Sequence, residues 1–310
     1  MYAATTLLMV AIGCIAYELA SKDRRTLERA FLFAGLVVAA EAVLAFSPVG
    51  RIIGMRDEGL RIRGLLTDAN EFGSFAVPAV LLLCVRWPAL SVGVRVALIG
   101  ALLLPVAASM SRAAGLALGL ALVVLAATAA YRRLRKVLAR TIGLLVVGVI
   151  GAVMLMAIPG AAFPERVTTS LIQPYDSVRF AGQMAGLSQF LAQPISFGIG
   201  PGNYEARLGH ASHQTYLRML VETGPLSVVA LLLLLSAGIS VIRAPDLGAV
   251  VWASALAGLA ACGLFVDTLH WRVIWLVLGV TLAFAYRDRA EARVGILPVT
   301  PKLATESTND

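Results

Sequence analysis

The hydrophobic residues of this 310-residue chain are grouped in long blocks, separated by charged segments. Each block approaches the roughly 20 residues that an α-helix needs to cross a bilayer. Blocks of this kind favour helices over the short alternating strands of a membrane barrel. The pattern predicts an all-α, polytopic transmembrane helical bundle of about nine spans. The predicted spans cover residues 3–20, 30–48, 71–85, 94–110, 113–130, 141–158, 221–242, 248–268 and 272–286.

The two longest segments outside the predicted spans are too polar to lie in lipid. The longer one covers about residues 159–220, between the sixth and seventh predicted spans, and holds two of the three histidines. The other covers 287–310 and ends in the polar sequence LPVTPKLATESTND, which predicts a disordered tail. We therefore expect a transmembrane domain over 1–286, in which the 159–220 loop carries the chemistry and contains short amphipathic helices.

Composition and charge agree with a membrane protein and indicate its orientation. A hydrophobic content of 59% with 14% charged residues excludes an ordinary soluble domain. More than half of the 26 Lys and Arg residues lie in the segments 22–29, 86–95, 132–140 and 243 and in the tail, all on one side of the predicted bundle. The positive-inside rule makes this side cytoplasmic, so the 159–220 loop is expected to be periplasmic. The net charge of +8 is then an orientation signal, and no nucleic-acid partner is expected.

Three ionisable residues in or beside the spans are functional candidates, because such groups cost about 2.5 to 3.5 kcal/mol each in hydrocarbon. Glu41 lies deep in the second span and needs a partner or a wet cavity. Asp267 stands beside His270 and Arg272, and a local ion pair explains it. Arg112 lies at the outer boundary between two spans, with no acid nearby in the sequence. Its guanidinium suits phosphate oxygens, and contact with lipid headgroups is the alternative.

The outer segments contain further candidates. Thr67 or Asp68 is expected to cap the third span, and Arg63 is either a headgroup contact or part of an anion site. The apolar spacing within Ser177–Gln193 predicts an amphipathic helix along the outer leaflet, with Arg179 in its first turn. The apolar positions are Phe180, Met184, Leu187 and Leu191.

Glycines and histidines follow in the same loop. The turn GIGPGN, which includes Gly200, can expose backbone N–H groups to a sugar or phosphate, or simply form a tight turn. His210 and His213 are three residues apart, but no convincing third metal ligand is visible. An imidazole can instead act as a general base near neutral pH, or it can be a satisfied interfacial polar group. The three cysteines fall inside apolar spans and are expected to serve packing.

The order of these pieces resembles the O-antigen ligase and polysaccharide polymerase family of bacterial envelope glycosyltransferases. The matching segments, over approximately residues 61–235, are RIRGLLTDANEFG, SRAAGLALG, SVRFAGQMAGL, FGIGPGNY and SHQTYLRMLVETGPL. The resemblance implies an inverting transfer, without metal or cofactor, of a glycan from undecaprenyl diphosphate to an acceptor hydroxyl at the outer face of the plasma (inner) membrane. The acceptor would be lipid A core, a growing polysaccharide or a protein.

The resemblance also implies roles for individual residues. His213 would be the base that deprotonates the acceptor, and Arg112 and Arg179 would bind the diphosphate with help from Arg63. Gly200 and Tyr216 would belong to the substrate-binding surface. The alternatives are a repeat-unit polymerase with the same site and a non-enzymatic transporter of lipid or polysaccharide, in which the charged residues of the spans line a pathway.

Overall fold

The computed structural model describes residues 2–55, 61–66, 68–86, 90–134, 136–143, 174–194, 196–243 and 246–294. Most of the predicted span 141–158, the start of the long loop and the end of the tail lie outside these residues. The described chain is helical, which confirms the all-α class. Its helices are α1 Tyr2–Lys22, α2 Arg24–Leu44, α3 Pro48–Ile52, α4 Ala69–Val85, α5 Val92–Ala108, α6 Arg112–Tyr131, α7 Pro174–Ala192, α8 Tyr204–Leu208, α9 Thr215–Thr223, α10 Pro225–Arg243, α11 Leu247–Cys262 and α12 Arg272–Val294.

Three helical segments are long and apolar enough to cross a membrane, namely Ala4–Lys22, Arg112–Tyr131 and Pro225–Ile242. They indicate a membrane protein. The total of about nine spans stays a prediction, because the other apolar helices are shorter. These shorter helices are Ala69–Val85, Val92–Ala108, Leu247–Cys262 and Arg272–Tyr286.

Several helix ends differ from the predicted boundaries. The predicted span 221–242 is divided at Gly224, which has a φ of 60° and donates its N–H to the Leu220 carbonyl. Pro225 then begins α10, a position where its missing N–H costs nothing. Helix α11 ends at Cys262 instead of 268, and α12 continues to Val294, into the segment predicted to be disordered.

The core of the bundle lies around α11. Trp252 of α11 is fully buried, and the ring of Phe31 from α2 meets it edge to face, with 4.9 Å between centroids. A Cβ at Gly258 would overlap the Ala117 carbonyl oxygen of α6, so small residues allow these two helices to approach closely. By contrast, α1 and α10 leave most of their apolar side chains exposed, as helices that face lipid do.

Polar contacts lie at the two ends of the apolar bundle. We call one end the basic face, where Arg24 pairs with Asp246 and Glu28 and where Arg86 also reaches Glu28. Arg132 donates to a carbonyl of α10 at the same end. We call the other end the loop face, which is formed by residues 61–66, 68–71, 109–112, 196–224 and 263–272. The arginines of the basic face belong to the segments predicted to be cytoplasmic.

Candidate functional site

The loop face is held together by Asp68, the residue that caps α4. Its Oδ1 accepts the Asn70 N–H at 2.8 Å, which confirms the predicted cap. Its Oδ2 accepts the Trp271 indole N–H at 3.0 Å and lies 3.9 Å from Nε2 of His270. Burial raises the pKa of Asp68, but the contacts with His270, Asn70 and Trp271 outweigh it, and the net shift is downward. The same carboxylate raises the pKa of His270.

The partner predicted for Asp267 is corrected by the structure. Its carboxylate pairs with Arg218 of α9, whereas Arg272 donates its backbone N–H to Glu71 at 2.7 Å. The reason is the early end of α11, after which the chain turns across the start of α9. Helix α9 is fixed there by its first residue, Thr215, whose N–H donates to the Gly263 carbonyl at 2.8 Å.

Arg218 is the centre of a buried ionic cluster that the sequence analysis did not single out. Its side chain is only 7% exposed. Its Nε donates to Glu222 at 3.1 Å, and its Nη1 contacts Asp267 and lies 3.8 Å from Glu205. Glu222 also accepts the backbone N–H of Tyr204 at 3.1 Å, which joins α8 to α9. The i, i+4 spacing of Arg218 and Glu222 was the one available sequence signal.

His213 lies two residues before Thr215, the first residue of α9, and is half-buried. Its φ of 48° is left-handed, which is uncommon for a residue with a side chain and costs on the order of 1 to 3 kcal/mol. Burial lowers the pKa of His213, and the positive charge of Arg179 lowers it further, against the opposing effect of Glu205 and Asp267. At neutral pH the imidazole is therefore in its uncharged form, which can accept a proton.

Helix α7 matches the predicted amphipathic helix. Its apolar positions Phe180, Met184, Leu187 and Leu191 are all exposed. The opposite side packs against the chain around His213. A Cβ at Gly182 would overlap the Ala211 carbonyl oxygen, and one at Gly186 would overlap the Tyr204 hydroxyl. That hydroxyl donates to the Gly182 carbonyl at 2.7 Å, so the two glycines hold the helix of Arg179 against the loop of His213.

Arg112 is the exposed first residue of α6. The carbonyl of the next residue, Ala113, accepts the Cys262 thiol at 3.0 Å. The carbonyl of Gly263, the residue after Cys262, accepts the N–H of Thr215, the first residue of α9. Arg112 is thus adjacent in sequence to a residue that contacts Cys262, and His213 is two positions from a residue that contacts Gly263. Both contacts lie at the end of α11.

Arg63 belongs to the same face through its neighbours. Its Nε donates to the Gly54 carbonyl at 3.2 Å. The adjacent Ile62 donates its N–H to the Ala108 carbonyl at 3.1 Å, at the turn that leads to Arg112. The same segment also contacts Glu41, whose Oε2 accepts the Leu65 N–H at 3.1 Å. Glu41 therefore has the partner that its position in the span requires.

Gly200 and Tyr216, both predicted to belong to the substrate-binding surface, already use their N–H and hydroxyl groups within the fold. The Gly200 N–H donates to the Glu222 carbonyl at 3.0 Å, and the Tyr216 hydroxyl donates to the Ala260 carbonyl. The glycine turn is held close to α9, because a Cβ at Gly198 would overlap the Glu222 backbone. Any substrate contact by Gly200 would have to use its carbonyl or its Cα.

The structure thus brings His213 and Arg179 within electrostatic reach of each other and places Arg112 and Arg63 on the same loop face. Among the described residues, no group of three or more His, Cys, Asp or Glu side chains is arranged to hold a metal ion. A scan against protein-family models finds no match to the sequence, and a search of curated proteins finds none either.

Proposed function

We propose that this chain is a membrane glycosyltransferase that moves a glycan from undecaprenyl diphosphate to an acceptor hydroxyl. The observation that carries the proposal is His213. It is half-buried, it has a left-handed backbone, and it lies at a polar end of an apolar bundle beside Arg179. Residues with a strained backbone or a perturbed pKa are found preferentially at functional sites, and His213 has both.

The proposed chemistry is a direct displacement at the anomeric carbon. Uncharged His213 takes the proton of the acceptor hydroxyl as its oxygen bonds to the anomeric carbon, and the bond from that carbon to the diphosphate oxygen breaks. The electron pair leaves with the diphosphate, and the anomeric configuration inverts. A base that is uncharged near neutral pH suits the first step, since it needs no prior loss of a proton.

The leaving diphosphate gains negative charge, which fixed cations stabilise best where water is scarce. We assign this task to Arg179 and Arg112, with Arg63 assisting. Guanidinium groups donate two parallel hydrogen bonds to phosphate oxygens and stay charged throughout the reaction. No metal or cofactor is assigned a step.

In this proposal the basic face is cytoplasmic and the loop face lies at the outer surface of the bacterial inner membrane. The arginines of the basic face support this orientation, because cytoplasmic loops carry an excess of Lys and Arg. The exposed apolar side of α7 would rest on the outer leaflet, which is where an undecaprenyl carrier presents its diphosphate.

The proposal is tested by reconstituting the purified chain in liposomes with undecaprenyl-diphosphate-linked glycan and a hydroxyl acceptor. His213→Ala should lower the transfer rate by about 10²-fold to 10⁴-fold. His210→Ala is the matched control, since His210 is an exposed histidine three residues earlier, and it should transfer normally. EDTA should have no effect. Equal rates for the two variants would refute the role of His213.

The acceptor class is separated by the surface glycan of a deletion strain. Long chains that are not attached to lipid A core would indicate a ligase. Single capped repeats would indicate a polymerase that uses the same site. A normal surface glycan would exclude both.

A further inference from the structure

Arg218 connects three separate segments through one guanidinium group. Glu205 lies on α8, Glu222 on α9 itself, and Asp267 in the turn between α11 and α12. Arg218 contacts all three carboxylates, and little of its side chain reaches solvent. A forked, permanently charged donor is the side chain best suited to hold several carboxylates at once.

Two of these carboxylates also act on His213. Glu205 and Asp267 both favour the protonated imidazole, whereas Arg179 from α7 favours the uncharged form. Arg218 contacts both acids from the fourth position of α9, five residues after His213. The cation that fixes the acids is therefore also the charge that offsets them.

We propose that Arg218 is a positioning residue for the base: it holds Glu205 and Asp267 in place beside His213 and offsets their charge, so that the imidazole stays uncharged. The part of this inference that concerns catalysis rests on the proposed function. The part that concerns His213 itself does not, because protonation of an imidazole can be measured without any substrate.

The direction of the effect follows from the charges that face His213. The charged groups that act on His213 are Arg179 from α7, Glu205 from α8 and Asp267 from the turn after α11, and Arg218 from α9 contacts the two acids. Without the cation of Arg218, the two acids act on the imidazole with less compensation. Its proton is then held more tightly, and less of the base form remains at neutral pH.

The test uses NMR titration of histidines labelled with ¹³C in the full chain, in lipid nanodiscs. The chain has only three histidines, so single His→Gln variants assign every signal. Arg218→Met should raise the His213 midpoint by about one pH unit, which is the lower end of the effect of one nearby charge. Arg207→Met is the control, since it removes the same charge from an exposed position of α8 and should leave the midpoint unchanged.

Two further variants keep the proposal falsifiable if Arg218→Met does not fold. Arg218→Lys keeps the charge but reaches fewer of the carboxylates, and it should raise the midpoint by less. Glu205→Gln changes a side chain that is 46% exposed, and it should lower the midpoint. An unchanged His213 midpoint in folded Arg218→Met, or in both of these variants, would overturn the proposal.

Transfer activity gives the second readout. In Arg218→Met the acidic limb of the rate profile should move to higher pH by the same amount as the NMR midpoint, with the rate recovering at alkaline pH. Loss of rate at every pH would show a structural role only and would overturn the proposal. If the wild-type chain transfers no glycan, the proposed function fails, yet the NMR titration still decides the role of Arg218.

Discussion

The packing of α7 against the loop of His213 gives a sharp prediction for Gly182→Ala. The added Cβ would be closer than 3.0 Å to the Ala211 carbonyl oxygen, a separation that real Cβ atoms essentially never show, and 3.2 Å from Cβ of His210. Both neighbours belong to the chain that leads to His213. The helix and the loop must therefore separate by about half an ångström or more, because protein interiors have no spare space.

The cost of this separation can be stated in two quantities. Overpacking of this kind lowers the free energy of unfolding by about 1 to 3 kcal/mol. Arg179 lies one turn before Gly182, so the separation also displaces its guanidinium from His213. A displacement near 1 Å in a catalytic arrangement can lower the rate by up to about 10²-fold. We expect a transfer rate reduced by about one order of magnitude or more in a chain that still inserts into membranes.

The assay compares Gly182→Ala with Gly115→Ala for thermal stability in detergent and for transfer in liposomes. Gly115 lies in α6, and a Cβ there would meet no atom of the described residues within 4 Å. Both substitutions gain the same helix propensity, about 0.5 to 1 kcal/mol. The difference between them therefore isolates the overlap with Ala211. Identical stability and transfer in the two variants would refute the packing of α7 described above.

Three further predictions concern the two polar faces. Asp68→Asn should lower the His270 pKa, measured by the same NMR titration, because the Asp68 carboxylate raises it; an unchanged pKa would contradict the contact. The stability that His270 gains from this contact is fully present below its unfolded pKa of about 6.5 and is lost as pH rises through the folded value. His270→Gln should therefore destabilise the chain at pH 5 and have no effect well above the folded pKa, and the opposite trend in thermal unfolding would contradict the sign. Arg24→Met removes the cation that pairs with Asp246 and with the mostly buried Glu28. We expect a loss of about 3 kcal/mol in unfolding free energy. A loss no larger than that of Lys22→Met, which removes one partner of an exposed pair, would exclude this network as a stabilising element.

Features of the fold with a local cause could be predicted from the sequence. The amphipathic helix at 177–193 follows from the spacing of four apolar residues, and the Asp68 cap follows from an acid placed just before an apolar run. Arg179 was predicted in the first turn of that helix, and it lies in the second turn because the helix begins at Pro174. The all-α class follows from the length of the apolar blocks alone.

Features that depend on contacts between distant segments could not be predicted. The pairing of Asp267 with Arg218 joins residues 49 positions apart, whereas the sequence offered the nearer Arg272. The break at Gly224 is different, because Gly224 followed by Pro225 is a local signal for the end of one helix and the start of the next, and the predicted span 221–242 did not use it. The backbone N–H of Gly200 looked available in the sequence, but the fold directs it to a carbonyl of α9.

The most direct test of the account compares two pH midpoints for the same residue. One is the acidic limb of kcat/KM for glycan transfer, which reports the free enzyme's essential base. The other is the NMR midpoint of His213 in the same liposomes or nanodiscs. Because burial and Arg179 lower the His213 pKa, we predict that the two midpoints coincide and lie below the ordinary value of 6.5. A rate profile whose acidic limb differs from the His213 midpoint, or persists unchanged in His213→Ala, would contradict the account.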